Sequence, residues 1–462
     1  MKELNIDKAL VVGLGARTGL FASNFLARMG VSTTVNDIKD RDELKDIIKK
    51  LNSKVKVSVG GQSPELLDEG FDIIILSPGV PKSIPLIREA YGRGIPVISE
   101  IELSYNYLKG LVIAITGTDG KSTTTELTGH ILNRLGINTF VGGNIGIPLI
   151  SLVDKTKDDS VTVIELSSFQ LETIKDFKPH ISAIMNITPD HLDRYEGMDD
   201  YAETKFRIAM NQQKEDSFIY NKDDMLVEKS LESVKSRKHS FSLIDKSSDI
   251  FYENGYICMG ESCKDTRIID VSKMQILGLH NVQNVMASVL IVMSILWMKK
   301  IEPKIESIAE AIYSFQGLEH RMEKIGIYEG RIFINDSKAT TVGAVEMAMK
   351  SILGKGILII GGRKKGGDYG SLSNVLREKA RSLVLIGESR EYFSDIFADF
   401  KLSQADSLDD AIVKAMKVSE KGDTIILSPA CASFDMFTDY EERGRVFKES
   451  FSKLKNGELI WT

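Results

Sequence analysis

The feature that most constrains this chain is a recurrence of short β-branched runs between stretches of helical periodicity: ALVVGL, DIIILSPG, LVIAITG, VTVIELSS, ISAIMNIT, GILIIGG, SLVLIGE and DTIILSPA. Near-continuous apolar strands alternating with helices are buried on both faces. They predict an α/β protein of parallel sheets covered by helices. Ligands of such sheets gather at the carboxyl ends of the strands. A chain of 462 residues exceeds one hydrophobic core, so several domains are expected. Three blocks are predicted. Residues 1–105 open with strand, glycine turn and helix. Residues 106–316 open with LVIAITGTDGKST and include a hairpin-rich insertion from about Ser240 to Lys273. Residues 317–462 begin with a hairpin, IGIYEG then RIFINDS.

A net charge of -6 and the absence of a dense Lys/Arg block argue against a polyanion partner such as nucleic acid. The longest apolar stretch, Met286 to Met298, is too short for a membrane span. Three cysteines, Cys258, Cys263 and Cys431, form neither a disulfide framework nor a zinc-ligand spacing and are read as structural or incidental. The N-terminus MKELNIDKALVVGLG is charged and strand-like where a signal sequence needs an apolar core. A cytoplasmic monomer acting on small molecules, with no membrane partner, is the expectation.

The most informative segment is TGTDGKSTTT, Thr116 to Thr125, set between an apolar strand and a helix. Gly117 and Gly120 let the backbone wrap an anion. The amides of Thr118, Asp119 and Thr123 can donate to phosphate oxygens, Lys121 adds positive charge, and Ser122 can ligate Mg²⁺. Ile115 replaces the outer glycine of the common phosphate-loop pattern. A second glycine turn, Gly13, Gly15 and Gly19, has spacing GxGxxxG, one residue longer than the dinucleotide fingerprint. It suits a diphosphate, or merely tight strand–helix packing. Two phosphate turns in separate blocks favour a two-substrate reaction.

Glu165 ends one predicted strand and His191 follows another, where parallel sheets deliver side chains to an active edge. A carboxylate beside a phosphate loop is an expected Mg²⁺ ligand, whereas His191 could equally cap or pack. Lys205 reads, on its residues alone, as an exposed helical lysine. His280, Asn281 and Asn284 could cap the apolar helix they open or read a base edge. LEHRMEKI and FINDSKATT then place His320, Arg321, Asp336, Ser337, Lys338 and Thr340 close together.

Together, GTDGKST, GGNIGIP, ELSSFQLE, NITPDHLDRY, the Tyr201/Lys205 stretch, HNVQN, EHR, NDSKAT and LSPACASFDMF resemble the Mur ligases, in the family's order and across nearly the whole chain. ELSSFQL and SPACASFDMF are most similar to the D-glutamate-adding branch. The resemblance implies an N-terminal Rossmann-like domain for a UDP-sugar, a central P-loop ATPase-type doubly wound sheet, and a C-terminal Rossmann-like domain for the amino acid. It implies ATP-dependent amide formation through an acyl phosphate, with two Mg²⁺ ions. Ser122 and Glu165 would hold one ion; His191 and Lys205, the latter N-carboxylated (carbamylated), would hold the other. A carbamate turns a metal-repelling ammonium into an anionic ligand. Lys121 and Lys338 would join these as catalytic residues. Asn284, Arg321 and Asp336 would contact the nucleotide. Lys338, Thr340, Lys365, Ser433 and Tyr440 would surround D-glutamate, and Gly13, Leu14, Gly15, Asp37, Ser77 and Asn144 would meet the UDP-sugar. The chain departs from the family pattern at Ile38, Lys39, Leu279 and Thr341. The rivals are another amide ligase of this architecture, a nucleotide-dependent switch without ligation, and a dehydrogenase suggested by the first glycine turn alone.

Overall fold

The structure, a computed structural model, describes residues 6–190, 194–260, 266–276, 278–352, 354–364 and 366–461. The chain forms two compact units, residues 1–274 with 279–314, and residues 275–278 with 315–462. The first two predicted blocks therefore share one unit.

The first unit opens with strands β1 (Lys8–Val12), β2 (Ser32–Asp37), β3 (Lys56–Val59), β4 (Ile73–Leu76) and β5 (Val97–Ser99). They pair in parallel in the order β3-β2-β1-β4-β5. Alternate residues serve opposite faces, as the pleat demands. Ala9, Val11, Ile73 and Ile75 pack on Phe25 and Leu26 of the helix Thr18–Arg28. Leu10, Val12, Ile74 and Leu76 pack on Leu86, Ile87 and Ala90 of the helix Pro85–Gly92. Ile150 and Val153, from beyond residue 105, complete the first of these cores.

The same unit carries β6 (Leu111–Thr116), β7 (Thr139–Gly143), β8 (Val161–Glu165), β9 (Ile181–Ile184), β10 (Ser217–Asn221), β11 (Arg237–Ser242), β12 (Ile250–Glu253), β13 (Tyr256–Met259) and β14 (Arg267–Asp270). Their order is β14-β13-β12-β11-β10-β9-β6-β8-β7. The β12–β13 and β13–β14 pairings are antiparallel, which is the predicted hairpin-rich insertion. Cys258, read from the sequence as structural or incidental and outside any disulfide framework, is disulfide-bonded; Cys431 is free and buried. The helix Leu279–Met298 is longer than the apolar stretch Met286 to Met298 and is apolar enough to cross a membrane, yet 72% of its most apolar window is buried within the protein.

Glu100 and Glu102, on the short helix Glu100–Tyr105, join these two sheets' segments. Glu100 accepts the Ile150 amide at 2.6 Å, and Glu102 accepts the amides of Lys175, Asp176 and Phe177 at 2.8–3.0 Å. Both carboxylates are nearly inaccessible, and these bonds offset much of the cost of burying them.

The second unit contains β15 (Glu323–Tyr328), β16 (Arg331–Asn335), β17 (Gly356–Gly361), β18 (Ala380–Ile386), β19 (Leu402–Ala405) and β20 (Thr424–Leu427), in the order β15-β16-β20-β17-β18-β19. Among the pairings of these six strands in the described residues, the predicted hairpin β15–β16 is antiparallel and the others are parallel. Leu358, Ile360 and Leu383 face Met349 and Leu376, while Ile357, Ile359 and Val384 face Ala411, Ile412 and Phe447.

Candidate active site

The phosphate-loop candidate runs from the end of β6 into the helix Lys121–Arg134. Gly117 and Gly120 have φ of 147° and 79°, a region that favours glycine. A Cβ on Gly120 would lie 2.4 Å from Oδ1 of Asn284, and one on Gly117 would lie 2.9 Å from Cβ of Met185. Asn284 is buried. Its Oδ1 also accepts from Thr124 Oγ1 at 3.2 Å, and its Nδ2 donates to Asn281 at 2.9 Å. Its side chain thus packs against the loop.

Asn186, which the sequence reading did not single out, shapes the loop from the neighbouring strand end. Its Oδ1 accepts the amides of Thr118 at 3.1 Å and Asp119 at 2.8 Å, and its Nδ2 donates to the Asp119 carbonyl at 3.2 Å. An asparagine directly after the apolar run ISAIM was the available signal.

Two lysines meet the same loop. Lys121 Nζ donates to the Thr118 carbonyl at 2.6 Å. Lys205 Nζ donates to the Gly117 carbonyl at 2.7 Å and lies 4.5 Å from the Tyr201 ring centroid. Lys205 is 1% exposed, which overturns the exposed reading drawn from its residue type. Burial, then the nearby Lys121 charge, lowers its pKa from 10.5 to about 7.

Glu165 ends β8 at the register of Ile115 on β6. Asn144 Nδ2 donates to its Oε1 at 2.7 Å, and the Asn144 amide donates to its carbonyl at 2.9 Å. The other carboxylate oxygen, Oε2, is buried and has no hydrogen-bond partner among the described residues. An orphaned buried oxygen is costly, and an oxygen-seeking cation would complete it. Ser122, in the first turn of the helix that follows the loop, and Glu165 offer oxygen donors of the kind that suit Mg²⁺. His191 and Lys365 lie outside the described residues.

The first glycine turn gathers Gly13, Leu14, Asp37 and Ser77 at the ends of β1, β2 and β4. Asp37 accepts the Leu14 amide at 2.6 Å and the Lys39 amide at 3.0 Å, while Ser77 Oγ donates to the Gly13 carbonyl at 2.7 Å. A Cβ on Gly19 would lie 2.0 Å from the Gly13 carbonyl oxygen, so close packing requires Gly19; Gly15 has open space around it. Arg17, also unanticipated, reaches the 143–146 turn. Arg194 spans the unit as well: it makes two bonds to Glu172 at 3.0 Å and one to the Pro78 carbonyl at 3.0 Å.

In the second unit a separate cluster forms where β16 and β20 end. Buried Asp336 accepts Ser428 Oγ at 2.8 Å and the Met322 amide at 3.0 Å. Burial raises its pKa from 3.8 to about 7, against the pull of those bonds and of Arg321. The Lys338 amide donates to the His320 carbonyl at 2.9 Å, and its ammonium nitrogen lies 5.7 Å from the Tyr440 ring centroid. Thr340 follows two residues on, and Ser433 is buried in the segment after β20. Arg443, absent from the sequence reading, is 1% exposed and ties the cluster together. It donates to Ser337 Oγ at 2.9 Å, the Ser337 carbonyl at 2.8 Å and the Cys431 carbonyl at 3.2 Å. Its position on the stripe of Phe447, Phe451 and Leu454 was the missed signal.

A chain with this phosphate loop and these three sheets can be compared with known proteins. The sequence model of the Mur ligase MurD-like N-terminal domain matches residues 7–99, that of the Mur ligase middle domain 115–292, and that of the Mur ligase glutamate ligase domain 320–431. The chain belongs to the Mur ligase family. It is 39% identical over 455 residues to the UDP-N-acetylmuramoylalanine--D-glutamate ligase of Lachnoclostridium phytofermentans, covering 97% of this chain and 98% of that one. It is 40% identical over 460 residues to the enzyme of the same name from Geotalea daltonii, covering 99% of both. The crystal structure of UDP-N-acetylmuramate-alanine ligase MurC from Thermotoga maritima aligns with a TM-score of 0.59 at 18% identity, over 97% of this chain and 100% of that one, which shows the shared fold.

Proposed function

We infer that this chain is an ATP-dependent amide ligase that joins D-glutamate to UDP-N-acetylmuramoyl-L-alanine in peptidoglycan precursor synthesis. The observation that carries the reading is its near-full-length similarity to enzymes of that name, including the glutamate ligase domain. The reaction is placed in the cytoplasm, in a monomer acting on small molecules without a nucleic-acid or membrane partner. The division at residues 1–105, 106–316 and 317–462 belongs to this reading.

A carboxylate is a poor electrophile. In the first step an oxygen of the substrate's L-alanine carboxylate attacks the γ-phosphorus of ATP, and ADP leaves. In the second, the neutral amine of D-glutamate attacks the acyl carbon, phosphate leaves, and the nitrogen loses a proton. Little covalent chemistry falls to the protein, whose work is positioning and charge stabilisation.

The amides of residues 118–123 and Lys121 would hold the ATP phosphates. Glu165 and Ser122 would hold Mg²⁺, a role supported by the unpartnered Glu165 Oε2. Bound Mg²⁺ would neutralise charge on the transferring phosphoryl oxygens. His191 and an N-carboxylated Lys205 would hold a second ion. The lowered pKa of Lys205 supports this, because the neutral amine is the form that adds to CO₂, releasing one proton. Asn284, Arg321 and Asp336 would position the nucleotide. Lys338, Thr340, Lys365, Ser433 and Tyr440 would receive D-glutamate, and Gly13, Leu14, Gly15, Asp37, Ser77 and Asn144 the UDP-sugar.

The test is phosphate release from ATP in the presence of UDP-N-acetylmuramoyl-L-alanine with D-glutamate, L-glutamate, L-alanine or no amino acid. Release that needs D-glutamate, with the product mass of the amide, supports the reading. Release with another amino acid reassigns the substrate, and no release in any arm overturns the ligase assignment.

A further inference from the structure

The first glycine turn is one residue longer than the GxGxxG fingerprint, and Arg17 lies within the lengthened stretch between Gly15 and Gly19. Its guanidinium reaches a turn more than a hundred residues away. There it donates to three main-chain carbonyls: Asn144 at 3.1 Å, Gly143 at 3.2 Å and Gly146 at 2.9 Å. A planar fork of donors suits such a set of acceptors, and a point-like ammonium satisfies it less well.

The turn that Arg17 grips also carries the side chain that orients Glu165. Asn144 Nδ2 donates to Oε1 of Glu165 at 2.7 Å. The remaining oxygen has no partner, so Asn144 supplies the side-chain bond that sets the carboxylate's rotation among the described residues. Gly143 and Gly146, with φ of 103° and 55°, build the turn from residues with wide conformational freedom. An external clasp therefore has something to restrain.

We propose that Arg17 is a positioning residue that ties the first glycine turn to the cation-binding carboxylate of Glu165. This rests on the reading above, in which Glu165 holds the metal. A diphosphate-bearing ligand seated on the first turn and a divalent cation at Glu165 are then energetically coupled through Arg17, Asn144 and the 143–146 backbone. Groups behind metal ligands tune affinity by orienting those ligands.

A second contact provides the control. Arg28 pairs with Asp154 at 3.1 Å across the same two segments, with side chains 57% and 71% exposed, and its partner lies outside the 143–146 turn.

The experiment titrates the full chain with Mn²⁺ in the presence of ADP, reading free Mn²⁺ by electron paramagnetic resonance, with and without UDP-N-acetylmuramoyl-L-alanine. Arg17→Ala is expected to weaken Mn²⁺ binding about tenfold and to abolish the tightening that the UDP-substrate produces in the unaltered protein. Arg17→Lys should recover part of both effects, and Arg28→Ala should change neither. Unchanged Mn²⁺ affinity and coupling in Arg17→Ala overturn the proposal, as does an equal loss in Arg28→Ala, which would mean general loosening of the two segments. Glu165→Gln separates the two levels. If it leaves Mn²⁺ binding intact, the metal reading falls and takes the proposal with it; if it weakens binding while Arg17→Ala does not, the proposal alone falls.

Discussion

Lys205 donates its side-chain nitrogen to the carbonyl of Gly117 at 2.7 Å, tethering a buried lysine to the phosphate-loop candidate. Its pKa of about 7 leaves a large neutral fraction at physiological pH. Carbamylation consumes the neutral amine, so at fixed dissolved CO₂ the modified fraction should be greater at pH 8 than at pH 6. Labelling with ¹³C-bicarbonate should give a carbamate resonance in the protein that vanishes in Lys205→Gln. The same substitution should lower phosphate release by about a hundredfold or more. A resonance persisting in Lys205→Gln would place the carbamate elsewhere.

Asn186 holds the amides of Thr118 and Asp119 with one side-chain oxygen. Asn186→Ala should raise the KM for ATP roughly tenfold, about 1.4 kcal/mol, with little change in the KM for the UDP-substrate. Asn186→Asp keeps two acceptor bonds but sets a negative charge beside the phosphates. It should unfold at a urea concentration no lower than Asn186→Ala while binding ATP less well. Steady-state kinetics and urea titration of both variants check this. Equal ATP affinity in the two variants would count against a phosphate at this loop.

Glu165 presents a buried oxygen without a partner among the described residues, so its neutral isostere tests the cation directly. Glu165→Gln should fold normally, because its amide oxygen can still accept from Asn144. Phosphate release should fall by about two to three orders of magnitude. Circular dichroism alongside phosphate release measures both.

Asp336 has a folded-state pKa of about 7 against an ordinary 3.8. The folded chain binds the extra proton between those values, so this group's contribution to stability falls as pH rises from about 4 to about 7. The penalty is complete above pH 7, at an upper bound of about 4 kcal/mol. Asp336→Asn should remove that slope, and its urea midpoint relative to the unaltered protein should rise between pH 5 and pH 8. A constant difference across that range would mean that Asp336 is ionised throughout.

The legible parts of the fold were those buried on both sides. β1, β4, β6, β8, β9, β17, β18 and β20 all correspond to apolar runs in the sequence, because helices cover both faces. The strands that left no comparable run include β3, β5, β7 and β19, each at the edge of its sheet. An edge strand such as Lys56–Val59 meets solvent along one side and needs no continuous apolar signature.

The site divides on a similar physical line. Chemistry carried by adjacent residues, as in Gly117 to Thr123, reads directly from spacing. Support delivered across the chain does not. Asn186 lies 67 residues from Asp119 and Arg443 lies 106 from Ser337, and neither belongs to a local pattern. Lys205 shows the opposite error: charge alone suggests solvent, while its position on the helix Met198–Phe206 buries it. Thr341 departs from the family's residue, yet its hydroxyl accepts the Ala344 amide and caps the helix Val342–Ser351.

The two buried glutamates of the helix Glu100–Tyr105 bear on how such enzymes can be recombined. Their oxygens are committed to amides at 150 and at 175–177, and Ile150 and Val153 fill the N-terminal core. The N-terminal block is consequently not an interchangeable cassette. A chimera cut at residue 105 would inherit two carboxylates shaped for someone else's backbone, whereas one that also carries residues 149–153 and 175–177 keeps the joint intact.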